Sequence, residues 1–257
     1  MAEWRSFVAV GDSFTEGMDD PSPAGDGYRG WADLVAGHLA QEVRPDDFRY
    51  ANLAIRGRLF GNVVAEQVPL AIAMKPDLVS FAAGGNDALR RNFEPDELAD
   101  RYDKTIERLR AAGADVLVFR FADVTRRLPG SKYIRPRVDF LNKAVEETAE
   151  RHGARLVDLW PDEEFHNPRL WSIDRLHLST AGHRRVAGHV LRALGVTPHP
   201  EWMASAPPPE ALSWLSRKAA DARWASQHLA PWIKRRLTGR SSGDTVTAKR
   251  PELAPLN

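Results

Sequence analysis

Cysteine is absent from the 257 residues of this chain. Without a thiol, the protein can form no disulfide, no thiolate metal site and no cysteine nucleophile. Any nucleophile that it uses must therefore carry oxygen or nitrogen. The same absence gives no indication of the redox compartment in which the protein works.

An excess of charge of one sign and long apolar runs are lacking as well. The 36 basic and 35 acidic residues leave a formal net charge of +1, so no overall field attracts nucleic acid or an anionic membrane. No stretch approaches the ~20 apolar residues of a membrane span, and the first apolar run is too short for a secretion signal. We therefore expect a cytoplasmic protein with no nucleic-acid partner and no membrane span. Its oligomeric state is left open.

Short apolar segments alternate with longer segments that have helical spacing. The expected strands are residues 6–10, 50–55, 77–83, 115–121 and 155–159. The expected helices are residues 31–39, 62–74, 95–112, 135–152 and 181–194. This alternation predicts a three-layer α/β/α fold, in which a five-stranded parallel sheet is covered by helices on both faces.

Glycine and polar residues directly follow three of the expected strands. These peptides are Gly-Asp-Ser at 11–13, Arg-Gly at 56–57 and Gly-Gly-Asn-Asp at 84–87. A fourth peptide, Asp-Arg-Leu-His at 174–177, lies between the last strand and the last helix. Because ligands of open parallel sheets bind beyond the carboxyl ends of the strands, we expect the four peptides to meet there.

The residues of a nucleophilic triad lie in these peptides. A serine hydroxyl needs an imidazole to accept its proton and a third group to orient that imidazole. Residues three apart in a turn lie on the same side, so Asp174 can reach Nδ1 of His177. We expect Ser13 to be the nucleophile, His177 the base and Asp174 the orienting group.

Acyl transfer also needs hydrogen-bond donors for the tetrahedral oxyanion, and losing one such donor costs ~3–4 kcal/mol of transition-state stabilisation. The candidates are the backbone N–H groups of Ser13 and Gly57 and the side-chain amide of Asn86. A glycine allows close approach of a backbone donor because it has no Cβ. Gly61 is a rival to Gly57, which the spacing from Asn52 favours.

The four peptides resemble, in order, blocks of the SGNH, or GDSL, hydrolase family. Gly-Asp-Ser-Phe at 11–14 is similar to the first block, with Phe14 in place of the usual leucine. Asn-Leu-Ala-Ile-Arg-Gly at 52–57 resembles the second block, residues 84–87 the third and residues 174–177 the fifth. The resemblance covers about residues 7–194, and the high Arg and Ala usage is similar to that of actinobacterial-type GDSL esterases and lipases.

The resemblance implies a flavodoxin-like fold and hydrolysis of small carboxylic esters or thioesters through an acyl-enzyme. It implies neither a cofactor nor a metal. The same triad would also serve an acyltransferase or a carbohydrate deacetylase. The motifs do not indicate the acyl chain or the alcohol, although loops 19–30 and 125–133 are expected to form the substrate walls.

Other roles for these residues are open. Ser13 can cap a helix, and Asp174 with His177 can form a capping pair. Asp87 is expected to have a structural role beside Asn86. A binding protein that retains the fold is a second class of function. A nucleotide-binding flavodoxin-like domain is a third, but the Gly-x-Gly-x-x-Gly and P-loop patterns are missing.

Histidines elsewhere in the chain compete with His177 for the role of base. His166, His183 and His189 are the nearest of them in sequence, and the aspartate three residues before His177 decides in its favour. A metal site is a further alternative. Its ligands would be Asp162, His166, Asp174 and His177.

The composition changes near residue 198. A proline triplet at 207–209 precedes a helical stretch with Trp214, Trp224 and Trp232, so we expect a hydrolase domain at 1–197 and a helical, tryptophan-containing appendage at 198–237. Residues 238–257 are expected to be disordered. The basic residues of this region are expected to form a solvated face; they are Lys234, Arg235, Arg236 and Arg240.

Overall fold

A six-stranded sheet lies at the centre of the molecule. The computed structural model describes residues 4–25, 27–43, 47–208, 213–231, 238 and 241–256. The strands are β1 (Ser6–Gly11), β2 (Arg49–Asn52), β3 (Leu78–Ala82), β4 (Asp115–Arg120), β5 (Arg155–Asp158) and β6 (Arg250–Pro255). Their order across the sheet is β5-β4-β3-β1-β2-β6, and β1 to β5 are parallel.

Helices cover both faces of this sheet. They are α1 (Ser13–Glu16), α2 (Gly30–Glu42), α3 (Phe60–Asn62), α4 (Val68–Met74), α5 (Gly85–Ala88), α6 (Pro95–Ala111), α7 (Ser131–His152), α8 (Thr180–Ala193) and α9 (Trp214–Trp224). A π-helical turn, Val63–Gln67, joins α3 to α4, and another, Ala225–Leu229, follows α9. Among the described residues, no helix combines the length and the apolar character needed to cross a membrane.

The apolar strands are explained by burial on both sides of the sheet. In β1, Phe7 and Ala9 pack into the core with α2 and α8, whereas Val8 and Val10 pack into the core with α4, α6 and α7. A strand that is buried on both faces has no polar face and therefore no alternation. The expected three-layer α/β/α fold is confirmed.

The sheet differs from the expected one at its edge. β6 pairs with β2 in the antiparallel direction, so the expectation of five parallel strands is wrong by one strand. The expected disorder of residues 238–257 is wrong for residues 241–256, which end in this strand. Composition did not reveal the strand because its stabilisation comes from pairing with β2 and from distant contacts of Lys249.

The strand order places the functional loops at one crevice. β1 lies between β2 and β3, so the chain winds away from it in both directions along the sheet. Such a switch point is where ligands bind in open α/β sheets. Ser13 follows β1, and α5 with Asn86 follows β3.

The appendage contains α9 and the π-helical turn that follows it. Trp232 and the expected basic face of Lys234, Arg235, Arg236 and Arg240 lie outside the described residues. Trp214 is exposed, whereas Trp224 is half-buried. The packing role expected for the tryptophans therefore fits Trp224 and does not fit Trp214.

Candidate active site

The backbone that leads to Ser13 is held on both sides. Gln67 accepts a hydrogen bond from the N–H of Gly11 and donates one to its carbonyl, both at 2.9 Å. A Cβ at Gly11 would lie 2.5 Å from Oγ1 of Thr15 and 2.6 Å from the carbonyl oxygen of Ala82, so only glycine fits. The Asp12 carboxylate then caps α1 by accepting from the N–H of Phe14. Ser13 is thereby fixed as the first residue of the helix.

The structure brings Ser13, His177 and Asp174 into one chain of hydrogen bonds. Nε2 of His177 lies 3.0 Å from Oγ of Ser13, and Nδ1 lies 2.5 Å from Oδ2 of Asp174. Oδ1 of Asp174 accepts from the backbone N–H groups of Leu176 and His177, both at 2.9 Å. Because Asp174 accepts from Nδ1–H, Nε2 is the nitrogen that can accept the proton of Ser13.

In Asp174 and His177, the charge of each partner opposes the effect of burial on the pKa of the other. Burial alone would raise the pKa of Asp174, but the hydrogen bond and the charge of His177 outweigh it and lower that pKa to about 2. Burial alone would lower the pKa of His177, but the hydrogen bond and the charge of Asp174 raise it above 6.5. Asp174 is therefore ionised at neutral pH, and the imidazole holds an added proton more firmly than free histidine does.

A second carboxylate also faces the imidazole. Oδ2 of Asp19 lies 3.9 Å from Nδ1 of His177, and the charge of Asp19 contributes to the raised pKa of that histidine. Asp19 has a φ of 69°, in the left-handed region, which aspartate adopts more readily than most residues. No motif in the sequence indicated this residue.

The metal site considered from the sequence is not assembled among the described residues. Asp162 instead forms an ion pair with Arg185 and a hydrogen bond with His189, so this alternative ligand set does not come together. The group with metal-like spacing is Asp19, Asp174 and His177, whose ligand atoms lie within 4.8 Å of one another. Its Asp174 and His177 are already joined by the 2.5 Å hydrogen bond, so a proton occupies that position.

The three candidate oxyanion donors differ in whether they already donate a hydrogen bond within the protein. Within the described part of the chain, the backbone N–H groups of Ser13 and Gly57 have no hydrogen-bond acceptor. The Asn86 amide donates to Oδ2 of Asp12 at 3.0 Å and to the carbonyl of Arg58 at 3.1 Å. Donation by Asn86 to an oxyanion therefore requires one of these bonds to give way. The rival Gly61 lies in α3 and does not line the cavities at Ser13.

Buried and half-buried acidic residues hold the loops around the site. Glu16 accepts from the backbone N–H of Arg56 at 2.7 Å and pairs with its guanidinium, which fixes the chain just before Gly57. Asp87 accepts from the N–H of Phe60 at 2.9 Å, a structural role of the expected kind. Burial raises the pKa of Asp12 to about 6 although Phe14 and Asn86 donate to it.

Two cavities meet at Ser13 and His177. The narrow cavity, of about 120 Å³, is lined mainly by apolar side chains that include Phe121, Leu141 and Trp171. The wide cavity, of about 420 Å³, is lined by polar and apolar groups. The expected wall loops contribute Asp19, Leu128 and Pro129 to it. The sequence did not indicate the contributions of residues 224–242; they are Trp224, Gln227, His228, Leu229, Pro231, Ser241 and Ser242.

A model of the GDSL-like lipase/acylhydrolase family matches residues 9–185 of the chain. The chain belongs to this family. The match covers every residue of the hydrogen-bonded triad and every candidate oxyanion donor. It ends before α9 and β6.

Curated members of the family with similar sequences are named as esterases. Esterase TesA of Pseudomonas aeruginosa is 32% identical over 114 residues, which cover 44% of this chain and 53% of TesA. In the sequence match, the chain therefore spans about half the length of that relative. An acetylxylan esterase of Geobacillus stearothermophilus is 27% identical over 220 residues, which cover 78% of this chain and 97% of that enzyme. An arylesterase of Vibrio mimicus is 25% identical over 176 residues, or 67% and 80% of the two chains.

Solved structures show the same fold. The crystal structure of TesA superposes with a TM-score of 0.61 at 25% identity, covering 74% of this chain and 97% of that one. LAE5, an alpha/beta hydrolase from the metagenome of Lake Arreo, superposes with a TM-score of 0.64 at 23% identity, covering 76% and 97%. The family and its esterase members support hydrolysis of carboxylic esters by a serine enzyme.

Proposed function

We propose that this protein is a serine hydrolase that cleaves small carboxylic esters or thioesters through an acyl-enzyme on Ser13. The observation that carries the proposal is the hydrogen-bond chain from Oγ of Ser13 through His177 to Asp174. These are the three groups that an activated serine requires, with the imidazole placed between the hydroxyl that gives up its proton and the carboxylate that orients the ring. Membership of a family whose similar members are esterases supports the same reaction.

In the first half of the reaction, Oγ of Ser13 attacks the acyl carbon while its proton moves to Nε2 of His177. The tetrahedral intermediate then collapses, the bond to the alcohol breaks, and His177 gives its proton to the departing oxygen. Asp174 stays ionised throughout because its pKa is about 2, and it stabilises the imidazolium. Water repeats the sequence on the acyl-enzyme, which releases the acid and restores Ser13.

The donors for the oxyanion are the backbone N–H groups of Ser13 and Gly57, together with Asn86. The first two have no acceptor among the described residues, so they can donate without losing a bond. Asn86 would exchange its bond to Asp12 or to the Arg58 carbonyl for one to the oxyanion. Such preorganised donors usually supply a large part of the rate enhancement.

Alternatives to ester hydrolysis are not favoured. The relatives are named esterases, and no contact among the described residues favours an acyltransferase or a non-catalytic binding protein. A carbohydrate O-deacetylase is itself an ester hydrolase whose alcohol is a sugar. A small-molecule ester is therefore the expected partner. The cytoplasmic location, the actinobacterial-type subclass and the division of the chain at residue 197 stay predictions.

The direct test is replacement of the nucleophile. Ser13→Ala should lower kcat for p-nitrophenyl acetate by at least about 1,000-fold, because the remaining groups cannot form an acyl-enzyme. Ser131→Ala is the matched control, since Ser131 also begins a helix but is exposed and lines neither cavity at the site. A fluorophosphonate probe should label the wild type and the control but not Ser13→Ala. Wild-type turnover by a folded Ser13→Ala variant, checked by circular dichroism, would reject the proposal.

A further inference from the structure

The chain beyond the family match forms one wall of the wide cavity. The match ends at residue 185, whereas α9, the π-helical turn after it and the segment 241–243 lie later in the chain. We call the described residues 213–231 and 241–256 the C-terminal segment. Polar side chains that it presents to the cavity are those of Gln227, His228, Ser241 and Ser242. Ser13, Gly57, Asn86 and His177 line the same cavity, so the wall faces the reacting groups.

One end of this wall is fastened to the loop that carries the base. Nε1 of Trp224 donates to the backbone carbonyl of Asp174 at 2.9 Å. The Arg175 guanidinium lies 4.7 Å from the centre of the Trp224 ring and forms an ion pair with Asp221 at 2.7 Å. The position of α9 is therefore tied to that of Asp174.

The other end is fastened to the loop that carries Gly57. A Cβ at Gly57 would lie 2.2 Å from Oγ of Ser241, and a Cβ at Gly243 would lie 2.0 Å from the carbonyl oxygen of Arg56. The second distance shows that the backbone of Gly243 packs directly against that of Arg56, and the first shows that the Ser241 side chain packs against Gly57. The wall therefore spans the site from the base to a candidate oxyanion donor.

The two cavities differ in chemistry. The narrow one is lined mainly by aromatic and aliphatic side chains, where a polar group without a hydrogen-bond partner would be costly. The wide one offers charges of both signs from Asp19 and Arg90 and hydrogen-bonding groups from the C-terminal segment. An ester bound at Ser13 has its acyl chain on one side of the reacting carbon and its alcohol on the other. The acyl chain fits the narrow cavity and the alcohol fits the wide one.

We propose that the C-terminal segment builds the alcohol subsite of this hydrolase and selects esters of polar, hydroxyl-bearing alcohols. Gln227, His228 and Ser242 provide the hydrogen bonds to the alcohol, and an apolar acyl chain occupies the narrow cavity. The proposal rests on the proposed function, because it assigns the two sides of the ester relative to Ser13. It assigns a role to residues that lie outside the region matched by the family.

The test compares two acetates that share the acyl group and differ in the alcohol. Methyl glycoside monoacetate carries a polyhydroxy alcohol, and ethyl acetate carries an apolar one. The double variant Gln227→Ala/His228→Ala should lower kcat/KM for the glycoside acetate by about tenfold or more and for ethyl acetate by less than about threefold. Ser226→Ala is the matched control, since its hydroxyl binds the carbonyl of Arg223 on the same turn and does not line the cavity. It should change neither value.

The outcomes separate the two proposals. Equal falls for both acetates, or no fall for either, would overturn the alcohol subsite while leaving ester hydrolysis intact. Absence of turnover by the wild type, together with absence of fluorophosphonate labelling, would instead reject the hydrolase. Gln227 is exposed, so the single variant Gln227→Ala removes no buried contact. It should show the same selective loss in smaller measure, and equal kcat/KM losses for the two acetates would count against the subsite.

Discussion

At the scale of single residues, two carboxylates act on one imidazole in different ways. Asp174 is hydrogen-bonded to Nδ1 of His177, whereas Asp19 lies 3.9 Å from that nitrogen and acts through its charge. Both raise the pKa of His177. Removing the Asp174 carboxylate should therefore disturb the orientation of the imidazole and also remove a nearby negative charge. Removing the Asp19 carboxylate should remove only a nearby negative charge.

The Asp19→Asn variant tests this difference through the pH profile of kcat/KM. Activity requires neutral His177, so the rate rises as pH increases through the pKa of this residue. Loss of a nearby negative charge lowers that pKa, and the rise should move to lower pH by roughly half a unit. The rate on the alkaline plateau should fall by less than about tenfold, whereas Asp174→Asn should lower it by ~10⁴. If the acidic limb of the pH profile is the same in Asp19→Asn and in the wild type, the charge of Asp19 does not act on His177.

The catalytic candidates could be predicted from the sequence because each lies in a short peptide after a strand or beside its partner. Asp174 and His177 are three residues apart, and Ser13 follows β1 directly. Asp19 and Gln67 could not be predicted in this way. Asp19 reaches the site through a left-handed backbone conformation, and Gln67 reaches Gly11 from a π-helical turn.

At the scale of elements, His183 joins α8 to the start of α2 and to the loop after α1. Its Nδ1 accepts from the backbone N–H of Trp31 at 3.3 Å, and its Nε2 donates to the carbonyl of Met18 at 3.0 Å. This pattern requires a neutral ring. Burial lowers the pKa of His183 to about 4, so the ring is neutral at physiological pH.

This histidine should make the protein sensitive to acid. The pKa of His183 is 6.5 in the unfolded chain and about 4 in the folded one. Between these pH values, His183 binds a proton in the unfolded state but not in the folded state. The contribution to stability is therefore complete above pH 6.5 and is lost as pH falls towards 4. Its size is on the order of 3 kcal/mol.

Urea denaturation at pH 7 and pH 5 measures this effect. The free energy of unfolding of the wild type should fall more between the two pH values than that of His183→Gln, whose amide does not titrate. The comparison between the proteins removes the contribution of the carboxylates, which titrate in both. The same pH dependence in the two proteins would contradict the role given to His183.

The element boundaries show where tertiary contacts override sequence pattern. The expected strand 50–55 ends at Asn52, because Oδ1 of Asn52 accepts from the N–H of Ala54 and turns the chain. The expected helix 62–74 is interrupted by the π-helical turn just before Pro69 in the first turn of α4. Proline lacks an N–H, and a widened turn accommodates that loss.

At the scale of the whole molecule, Lys249 connects the C-terminal segment to the first helices. Its ammonium donates to the carbonyls of Glu16 and Tyr28 and forms an ion pair with Asp33 at 2.7 Å. Burial lowers the pKa of Lys249 and raises that of Asp33, although each lies beside the opposite charge. The lysine thus holds β6 beside α1 and α2.

Lys249→Met should lower the free energy of unfolding by roughly 2 kcal/mol, because it leaves the Asp33 carboxylate and the carbonyls without their donor. The double variant Lys249→Met/Asp33→Asn should recover part of the loss. Lys143→Met is the control, because Lys143 forms a solvent-exposed ion pair with Glu147 on α7. This substitution should lower the free energy of unfolding by less than about 0.5 kcal/mol. Urea denaturation of the wild type, Lys249→Met, Asp33→Asn and the double variant gives the coupling energy, and strictly additive losses would argue against a functional pair.

The antiparallel strand β6 also affects whether the edge of the sheet can pair with a strand of another molecule. Without β6, the backbone of β2 would present unpaired N–H and C=O groups, which can recruit a strand from another chain. The chain instead supplies that strand itself, and Pro251 and Pro255 leave β6 with two fewer N–H donors. The residues of β6 therefore both complete the sheet and reduce its tendency to aggregate edge to edge.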